Sequence, residues 1–224
     1  MWPMGPETAI LLEPYASVYI EIPKVACSSI KMALSNVLGL VLDGPNGDPH
    51  QSTFPLATPC LESSSMFAEY FSFSFVRNPW SRLLSCYRDK VLFQAEGFTN
   101  STRRAGVADC FARHEQITAG MTFDEFIAAV ASIPDDAADA HFRSQYTFIA
   151  NTKGDVSVDF VGRFESLNRD LVEIQQRAGM PRFELPLSQV TGTGTHYRDH
   201  YGPNARALVE TRFAKDIELF GYVF

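Results

Sequence analysis

Two short strand-like runs in this chain each pass into a helical pattern within a few residues. Residues 17–22 and 70–76 are rich in the β-branched and aromatic side chains that favour strands. An apolar stripe with helical spacing follows each run, over residues 28–38 and 80–91. Because strands that alternate with helices form parallel sheets covered by helices, the pattern predicts a three-layer α/β fold. Its central sheet is mostly parallel and is flanked by helices.

Size and composition predict a single folded domain. Of the 224 residues, 46% are hydrophobic, a share too high for a disordered chain. We expect one domain over residues 1–224, long enough to bury a full core. No apolar run approaches the roughly 20 residues of a membrane span, so no stable membrane insertion is expected.

The cysteines and the N-terminal residues bear on the cellular compartment. The 4 cysteines have neither a metal-binding spacing nor the density of a disulfide framework, which favours reduced thiols and no metal site. Residues 1–14 lack the pattern of a secretory signal peptide. Together these features predict a cytoplasmic protein. The glycosylation triplet at residues 100–102 leaves a secretory context open.

The charge of the chain is unevenly distributed. The net charge of -7 argues against general nucleic-acid binding, which depends on neutralising phosphates. A basic island nevertheless extends from Arg77 to Arg104, and such an island suits a small anion. The alternative interpretation is a solvated helix face.

The rest of the chain shows weaker but definite signals. Thr122 and Glu125 have the spacing of a capping box, so a helix is predicted over residues 122–132. Short strands are predicted over residues 146–149 and 158–164. Ser166 is a candidate cap for a helix that ends at Gly179, and a last helix is predicted over residues 203–220.

The turn after the first strand combines features that attract an anion. A lysine, Lys24, lies in the bend, and the helix that follows begins with the hydroxyl side chains of Ser28 and Ser29. Backbone N–H groups at a helix start also attract anions. The turn lacks the GxxxxGK[ST] pattern of nucleotide triphosphatases, so a bound ATP with magnesium is not favoured. The alternative is a serine helix cap beside an exposed lysine.

The turn after the second strand has a comparable set. Asn78 is a good helix cap and Pro79 a good first helical residue. Arg77 directly follows the strand, and Ser85 lies two helical turns further on. Since an arginine fork suits phosphate oxygens, Arg77 and Ser85 are predicted to converge on one anion. The alternative is an arginine that closes the strand and a serine packed within the helix.

Together, the two turns resemble the carbohydrate sulfotransferase family, whose sulfate donor is 3'-phosphoadenosine 5'-phosphosulfate (PAPS). Residues 22–31 (Ile-Pro-Lys-Val-Ala-Cys-Ser-Ser-Ile-Lys) resemble the family's 5'-phosphosulfate loop, and residues 75–90 its 3'-phosphate motif. Four further stretches resemble family signatures: His-Phe-Arg-Ser-Gln at 141–145, Asp-Phe-Val-Gly-Arg-Phe-Glu at 159–165, Tyr-Arg-Asp-His-Tyr at 197–201 and Asp-Ile-Glu-Leu-Phe-Gly-Tyr at 216–222.

The resemblance implies a P-loop-like version of the α/β fold and a PAPS-dependent sulfotransferase. Such an enzyme moves the sulfuryl group from PAPS to a hydroxyl group of a carbohydrate or glycan and releases PAP, with no metal required. Lys24 would act on the oxygen that bridges sulfate and phosphate. The implied donor-binding residues are Pro23, Lys24, Val25, Ala26, Cys27, Ser28, Ser29, Arg77, Ser85 and Tyr197.

The resemblance also suggests the base and the acceptor contacts. A base must remove the proton of the acceptor hydroxyl, and we expect His50 first and His141 second. Arg82 and Arg143 are candidate contacts for an acidic sugar, or else surface charges. Residues 191–195 depart from the family pattern in the stretch before Tyr197.

Other functions stay open at this point. The alternatives are a non-catalytic module that binds PAPS or PAP, a transferase for a lipid or small-metabolite hydroxyl, and a nucleotide kinase of related topology. The chain lacks the family's usual stem and anchor, so a soluble, cytoplasmic enzyme is expected. A Golgi-lumenal catalytic domain without its anchor is the alternative. The sequence favours no particular oligomeric state.

Overall fold

The computed structural model describes residues 9–57, 69–92, 106–186 and 196–224. These residues form two compact units. The first contains residues 9–57, 69–77 and 145–186, and the second contains residues 78–92, 106–144 and 196–224. The prediction of one domain over residues 1–224 stays a prediction.

A five-stranded sheet lies in the first unit. Its strands, in chain order, are β1 (Ala9–Leu12), β2 (Ser17–Ile20), β3 (Leu56–Ala57), β4 (Phe71–Val76) and β5 (Phe160–Arg163). The spatial order is β3-β1-β2-β4-β5. β2, β4 and β5 pair in parallel, whereas β1 is antiparallel to both β2 and β3. The predicted α/β fold with a mostly parallel sheet and flanking helices is confirmed.

The described residues contain eight α-helices. In chain order they are α1 (Cys27–Val37), α2 (Pro79–Tyr87), α3 (Val107–Cys110), α4 (Phe123–Ala131), α5 (Tyr146–Ile149), α6 (Leu167–Arg177), α7 (Pro203–Arg212) and α8 (Ala214–Phe220). None of the helices in these described ranges is both long and apolar enough to cross a membrane. Helices α1, α5 and α6 belong to the first unit, and the others belong to the second.

Aromatic side chains fill the centre of the sheet. The rings of Tyr19 on β2 and Phe73 on β4 stack with their centroids 5.5 Å apart, and each residue is 1% exposed. Phe75 packs directly against the backbone of Gly162 on β5, so closely that a Cβ atom at Gly162 would overlap the ring. The glycine therefore lets β5 pair in register beside a bulky residue of β4.

The predicted helical stripe after the second strand forms the core of the second unit. Trp80, Leu83 and Leu84 of α2 are all buried. They belong to one apolar cluster with residues of α4 and α7, among them Phe126 and Val209. The spacing of these side chains thus predicted correctly which face of α2 is covered.

Three predicted elements differ from the structure. Residues 146–149 are helical rather than extended, although Tyr, Thr, Phe and Ile favour strands; Phe148 and Ile149 are buried within this helical turn. The predicted last helix is interrupted at Phe213, which has φ -111° and ψ 26°. Ser166 precedes α6 without a side-chain cap bond. Strands β1 and β3 were not predicted.

Candidate active site

The bend between β2 and α1 has an unusual backbone. Lys24 has φ 68° and Ala26 has φ 55°, so two non-glycine residues adopt the left-handed conformation within three positions. Each such residue costs about 1–2 kcal/mol, and strain of this kind concentrates at ligand sites. Turns that contain left-handed residues can direct successive N–H groups toward one concave surface, and such a surface suits an anion.

Helix α1 begins in this bend without a side-chain cap. Its N-cap residue is Ala26, whose methyl group accepts no hydrogen bond, and the N–H of Ile30 makes the first helical bond, 3.0 Å from the Ala26 carbonyl. The alternative of a serine cap is therefore wrong. Cys27, Ser28 and Ser29 occupy the first three helical positions, where backbone N–H groups lack intrahelical partners. The helix start suits an anion in both geometry and charge.

Arg77 lies beside the same bend. Its Nη1 donates to the carbonyl oxygen of Lys24 at 3.3 Å, and its guanidinium lies 4.1 Å from the centre of the Phe164 ring. The main chain of Arg77 is fixed by Gln145, which is fully buried. The Arg77 N–H donates to Gln145 Oε1 at 2.8 Å, and Gln145 Nε2 donates to the Arg77 carbonyl at 2.8 Å. The structure thus places two predicted donor-binding residues, Lys24 and Arg77, side by side.

His50 contacts the start of α1. Its Nε2 lies 2.7 Å from Ser28 Oγ and 3.8 Å from Cys27 Sγ. Its Nδ1 lies 3.4 Å from Lys31 Nζ and 3.5 Å from Glu21 Oε1. Lys31 and Glu21 are themselves a buried ion pair, with 2.6 Å between Nζ and Oε2. The structure therefore brings His50 into the proposed donor loop.

Glu21, Cys27 and His50 also present potential metal ligands within 4.8 Å of one another. Two features favour a hydrogen-bonded cluster. The Lys31 ammonium already lies between Glu21 and His50, and burial together with the charge of Glu21 raises the pKa of the Cys27 thiol to about 11. The thiol is consequently protonated at neutral pH. The expectation that no metal is required stays a prediction.

In the second unit, Arg82 holds a neighbouring segment. It is 3% exposed, and its guanidinium donates to the carbonyls of Arg143 at 2.7 Å and Ala140 at 3.0 Å. Burial lowers the pKa of Arg82 to about 10, so the group keeps its charge at neutral pH. Arg143 is buried as well. A role for either residue in acceptor binding stays a prediction, and the contacts of Arg82 show that it orders residues 140–143.

His141 lies in that ordered segment and forms a dyad with Asp139. Its Nδ1 is 2.7 Å from Asp139 Oδ1, and the Asp139 carboxylate also accepts the His141 backbone N–H at 2.9 Å. Burial raises the pKa of Asp139, but these bonds outweigh it, and the pKa lies below its usual value. Arg212 secures the preceding turn by donating to Asp135 Oδ1 at 2.7 Å. The dyad thus presents one histidine nitrogen to a carboxylate, as in many acid–base pairs.

The remaining predicted donor residues lie in the second unit. Ser85 is buried in α2, and Tyr197 is partly buried, with its ring centre 5.8 Å from that of Phe224. Because Arg77 and Ser85 belong to different units, their convergence on one phosphate stays a prediction. Arg103, Arg104 and residues 191–195 lie outside the described residues.

Comparisons with known proteins decide the family. Residues 8–223 match the profile described as "Sulfotransferase family". The chain belongs to the sulfotransferase family. No solved structure matches it significantly.

Several carbohydrate sulfotransferases are similar to this family member. Carbohydrate sulfotransferase 14 of Danio rerio is 29% identical over 222 residues, which cover 92% of this chain and 59% of that protein. The human protein of the same name is 27% identical over 233 residues, covering 95% and 59%. Human carbohydrate sulfotransferase 8 is 24% identical over 226 residues, covering 92% and 53%. The chain thus spans little more than half the length of these relatives.

Sequence reasoning missed several residues that shape this site. Gln145 was noticed only as the end of a family signature, and its hold on the Arg77 backbone depends on folding. Glu21 and Lys31 were given no role. A charged residue within an apolar strand-like run was the one available signal for Glu21. Its position between β2 and the bend explains why it is buried beside the loop.

Proposed function

We propose that this chain transfers a sulfuryl group from PAPS to a carbohydrate hydroxyl and releases PAP. The observation that carries the proposal is the bend at Lys24–Ser29, with two left-handed non-glycine residues and an uncapped α1. Membership of the sulfotransferase family supports PAPS as the donor. The printed names of the relatives support a carbohydrate acceptor.

The residues of the first unit suit the donor's 5'-phosphosulfate. The N–H groups at the start of α1 and the hydroxyls of Ser28 and Ser29 would bind the phosphate oxygens. PAPS, when bound, supplies a sulfuryl group attached to a phosphate leaving group. Lys24 would stabilise the negative charge that grows on the bridging oxygen, as a preorganised cation does in other transfer reactions.

Two further residues are proposed for the 3'-phosphate. Arg77, with its backbone fixed by Gln145, would offer a charged fork, and Ser85 a hydroxyl. Since PAPS and PAP carry a 3'-phosphate that ATP lacks, this pair would distinguish them from ATP. Pro23, Val25, Ala26, Cys27 and Tyr197 are proposed as additional donor contacts.

The acceptor side depends on a base and on positive charge. His50 and His141 stay the two candidates for the base that takes the hydroxyl proton. Arg82 and Arg143 stay candidates for acidic sugar groups, directly or by ordering residues 140–143. Because the relatives are named for carbohydrates, we favour the Golgi-lumenal alternative over the cytoplasmic expectation.

Binding measurements test the donor first. PAP and PAPS should bind at least about tenfold more tightly than ATP, without a requirement for magnesium, because the 3'-phosphate adds charged hydrogen bonds. A preference for ATP with magnesium would instead support a nucleotide kinase. Titration calorimetry with PAP, ATP and ATP plus MgCl2 makes the comparison on one protein sample.

A transfer assay tests the reaction. Labelled PAPS is offered with a panel of glycans, lipids and small alcohols, and label should move to a glycan. Transfer only to a lipid or a small alcohol would replace the carbohydrate acceptor with that class. Tight PAP binding with no transfer to any acceptor would support the non-catalytic binding module.

A further inference from the structure

We infer that His50 is a positioning residue for the donor rather than the base: it carries a hydrogen-bond relay from Lys31 to the Ser28 hydroxyl. The inference rests on the proposed donor, PAPS. His141, the second candidate from the sequence, then becomes the first candidate for the base. Different groups face the two nitrogens of the His50 imidazole ring.

Nδ1 of the His50 ring lies near two charged groups. Lys31 Nζ lies 3.4 Å away, and an ammonium group has only donors to offer. Glu21 Oε1 lies at a similar distance, 3.5 Å, but the other oxygen of this carboxylate already pairs with the Lys31 ammonium at 2.6 Å. With the carboxylate engaged in that ion pair, we assign Nδ1 as the acceptor of a Lys31 N–H. In a neutral imidazole the proton then resides on Nε2.

Nε2 of the His50 ring faces a serine hydroxyl group. It lies 2.7 Å from Ser28 Oγ, a strong hydrogen-bond distance. With the proton on Nε2, the ring donates and the serine oxygen accepts. The Ser28 hydroxyl proton is then free to be donated onward to an anion at the start of α1. The protonated thiol of Cys27, 3.8 Å from the same nitrogen, adds no charge to this arrangement.

The other candidate base, His141, has a carboxylate beside its Nδ1. His141 Nδ1 faces the Asp139 carboxylate at 2.7 Å, so Nδ1 carries the proton and Nε2 keeps its lone pair. A general base needs that lone pair. Lys31 therefore favours the Nε2–H tautomer of His50, and Asp139 favours the Nδ1–H tautomer of His141. In this assignment only His141 has an Nε2 lone pair for removing a proton.

Two substitutions at His50 separate the relay from a base. His50→Gln retains an N–H donor near Nε2 but accepts no proton, so PAP affinity and kcat should stay within about threefold of wild type. His50→Leu lacks the donor, so the Kd of PAP and the KM of PAPS should rise about 3- to 10-fold, with a smaller change in kcat. If His50 is the base, both variants lose about 10²–10⁴ in kcat while PAP binds normally.

A double-mutant cycle tests the route through Ser28. In a Ser28→Ala background, His50→Leu should weaken PAP binding no further, because the hydroxyl that His50 orients is gone. Additive losses of affinity would overturn the relay. This readout needs no acceptor. A wild-type protein that binds PAP but transfers nothing would overturn the proposed reaction and leave the relay to be judged by the cycle.

The tautomer itself is measurable in the free protein. Long-range ¹H–¹⁵N spectra of the His50 ring should show the proton on Nε2, and a proton on Nδ1 would overturn the inference. Lys31→Met alone removes the ammonium that neutralises the buried Glu21 carboxylate and threatens the fold. The double variant Glu21→Gln/Lys31→Met avoids this, and it should lose the Nε2 preference if Lys31 sets it.

Discussion

Helices α1 and α4 begin in opposite ways. At α4, Thr122 accepts the Glu125 backbone N–H at 3.4 Å, while Glu125 Oε2 accepts the N–H and hydroxyl of Thr122 at 2.7 and 2.8 Å. At α1, the cap position holds Ala26 in a left-handed conformation and offers no side-chain acceptor. The start of α4 pairs its own N–H groups with the side chains of Thr122 and Glu125. The start of α1 has no such cap, and its left-handed residues cost strain energy. The difference matches the roles proposed for them, since a capping box stabilises a helix start and backbone strain is common at ligand sites.

Removing the lysine from the bend should have the largest effect. Lys24→Ala is expected to lower the transfer rate by at least about 100-fold, because the charge that stabilises the leaving oxygen is lost. The unfolding midpoint should change little, since Lys24→Ala keeps the backbone carbonyl that accepts the Arg77 hydrogen bond. Rates come from the labelled-PAPS assay and midpoints from urea titration.

An exposed lysine provides the control for that variant. Lys153 lies in a solvent-exposed turn of the first unit, and Lys153→Ala should keep the wild-type rate. Near-normal transfer by Lys24→Ala would contradict the proposed role of Lys24. The starts of α1 and α4 would then no longer differ in their importance for transfer.

Breaking the capping box should affect stability alone. Thr122→Ala removes the hydroxyl that α4 uses as its cap, so the free energy of unfolding should fall by about 1 kcal/mol. PAP affinity and transfer rate should stay at wild-type values. Thr118→Ala is the matched control. Thr118 is exposed and accepts the Met121 N–H through its backbone carbonyl, a bond that the substitution keeps. A loss of PAP affinity in Thr122→Ala would contradict the prediction, because it would show that the α4 cap also affects donor binding.

Acid should remove part of this cap. The bonds from the Thr122 backbone and side chain hold the pKa of Glu125 below its ordinary value of 4.5. A group with a lowered pKa contributes stability above its unfolded pKa and loses it as the pH falls through the folded value. The stability gap between wild type and Thr122→Ala should therefore narrow below about pH 4. Urea titrations from neutral to acidic pH measure the gap, and a gap independent of pH contradicts the prediction.

Relieving the strain at Ala26 should have the smallest effect. Ala26→Gly removes the left-handed penalty but adds freedom to the unfolded chain, so its net stability change should stay below about 1 kcal/mol. PAP affinity should fall by only a few-fold as the loop becomes less rigid. The same substitution at exposed Ala128 inside α4 should cost about 1 kcal/mol. Equal losses at both sites would mean that the bend stores no strain.

Local chemistry explains what the sequence predicted well. The capping box at Thr122, the Asn78 cap with Pro79 after it, and the buried stripe of α2 depend on residues within two helical turns of one another. Such patterns are legible in a sequence because the interacting groups are neighbours in it.

Long-range contacts explain what the sequence did not reveal. The Gln145 clamp joins positions 68 residues apart, and the Lys31–His50 contact joins positions 19 apart. Neither the partner nor the orientation of such a side chain follows from spacing. Residues 146–149 were predicted as a strand from their own side chains, whereas in the fold they form a helical turn that buries Phe148 and Ile149.

The Gln145 clamp also bears on how the chain tolerates insertions. The chain leaves the first unit after Arg77 and returns to it at Gln145. Two hydrogen bonds of 2.8 Å join these two residues. With respect to the first unit, residues 78–144 are therefore a single insertion whose two ends are held together. The free-energy cost of closing a loop rises slowly with its length, by about 0.6 kcal/mol for each doubling. A longer or shorter segment between residues 77 and 145 should therefore cost the first unit little stability, because the Gln145–Arg77 bonds close that segment at its ends.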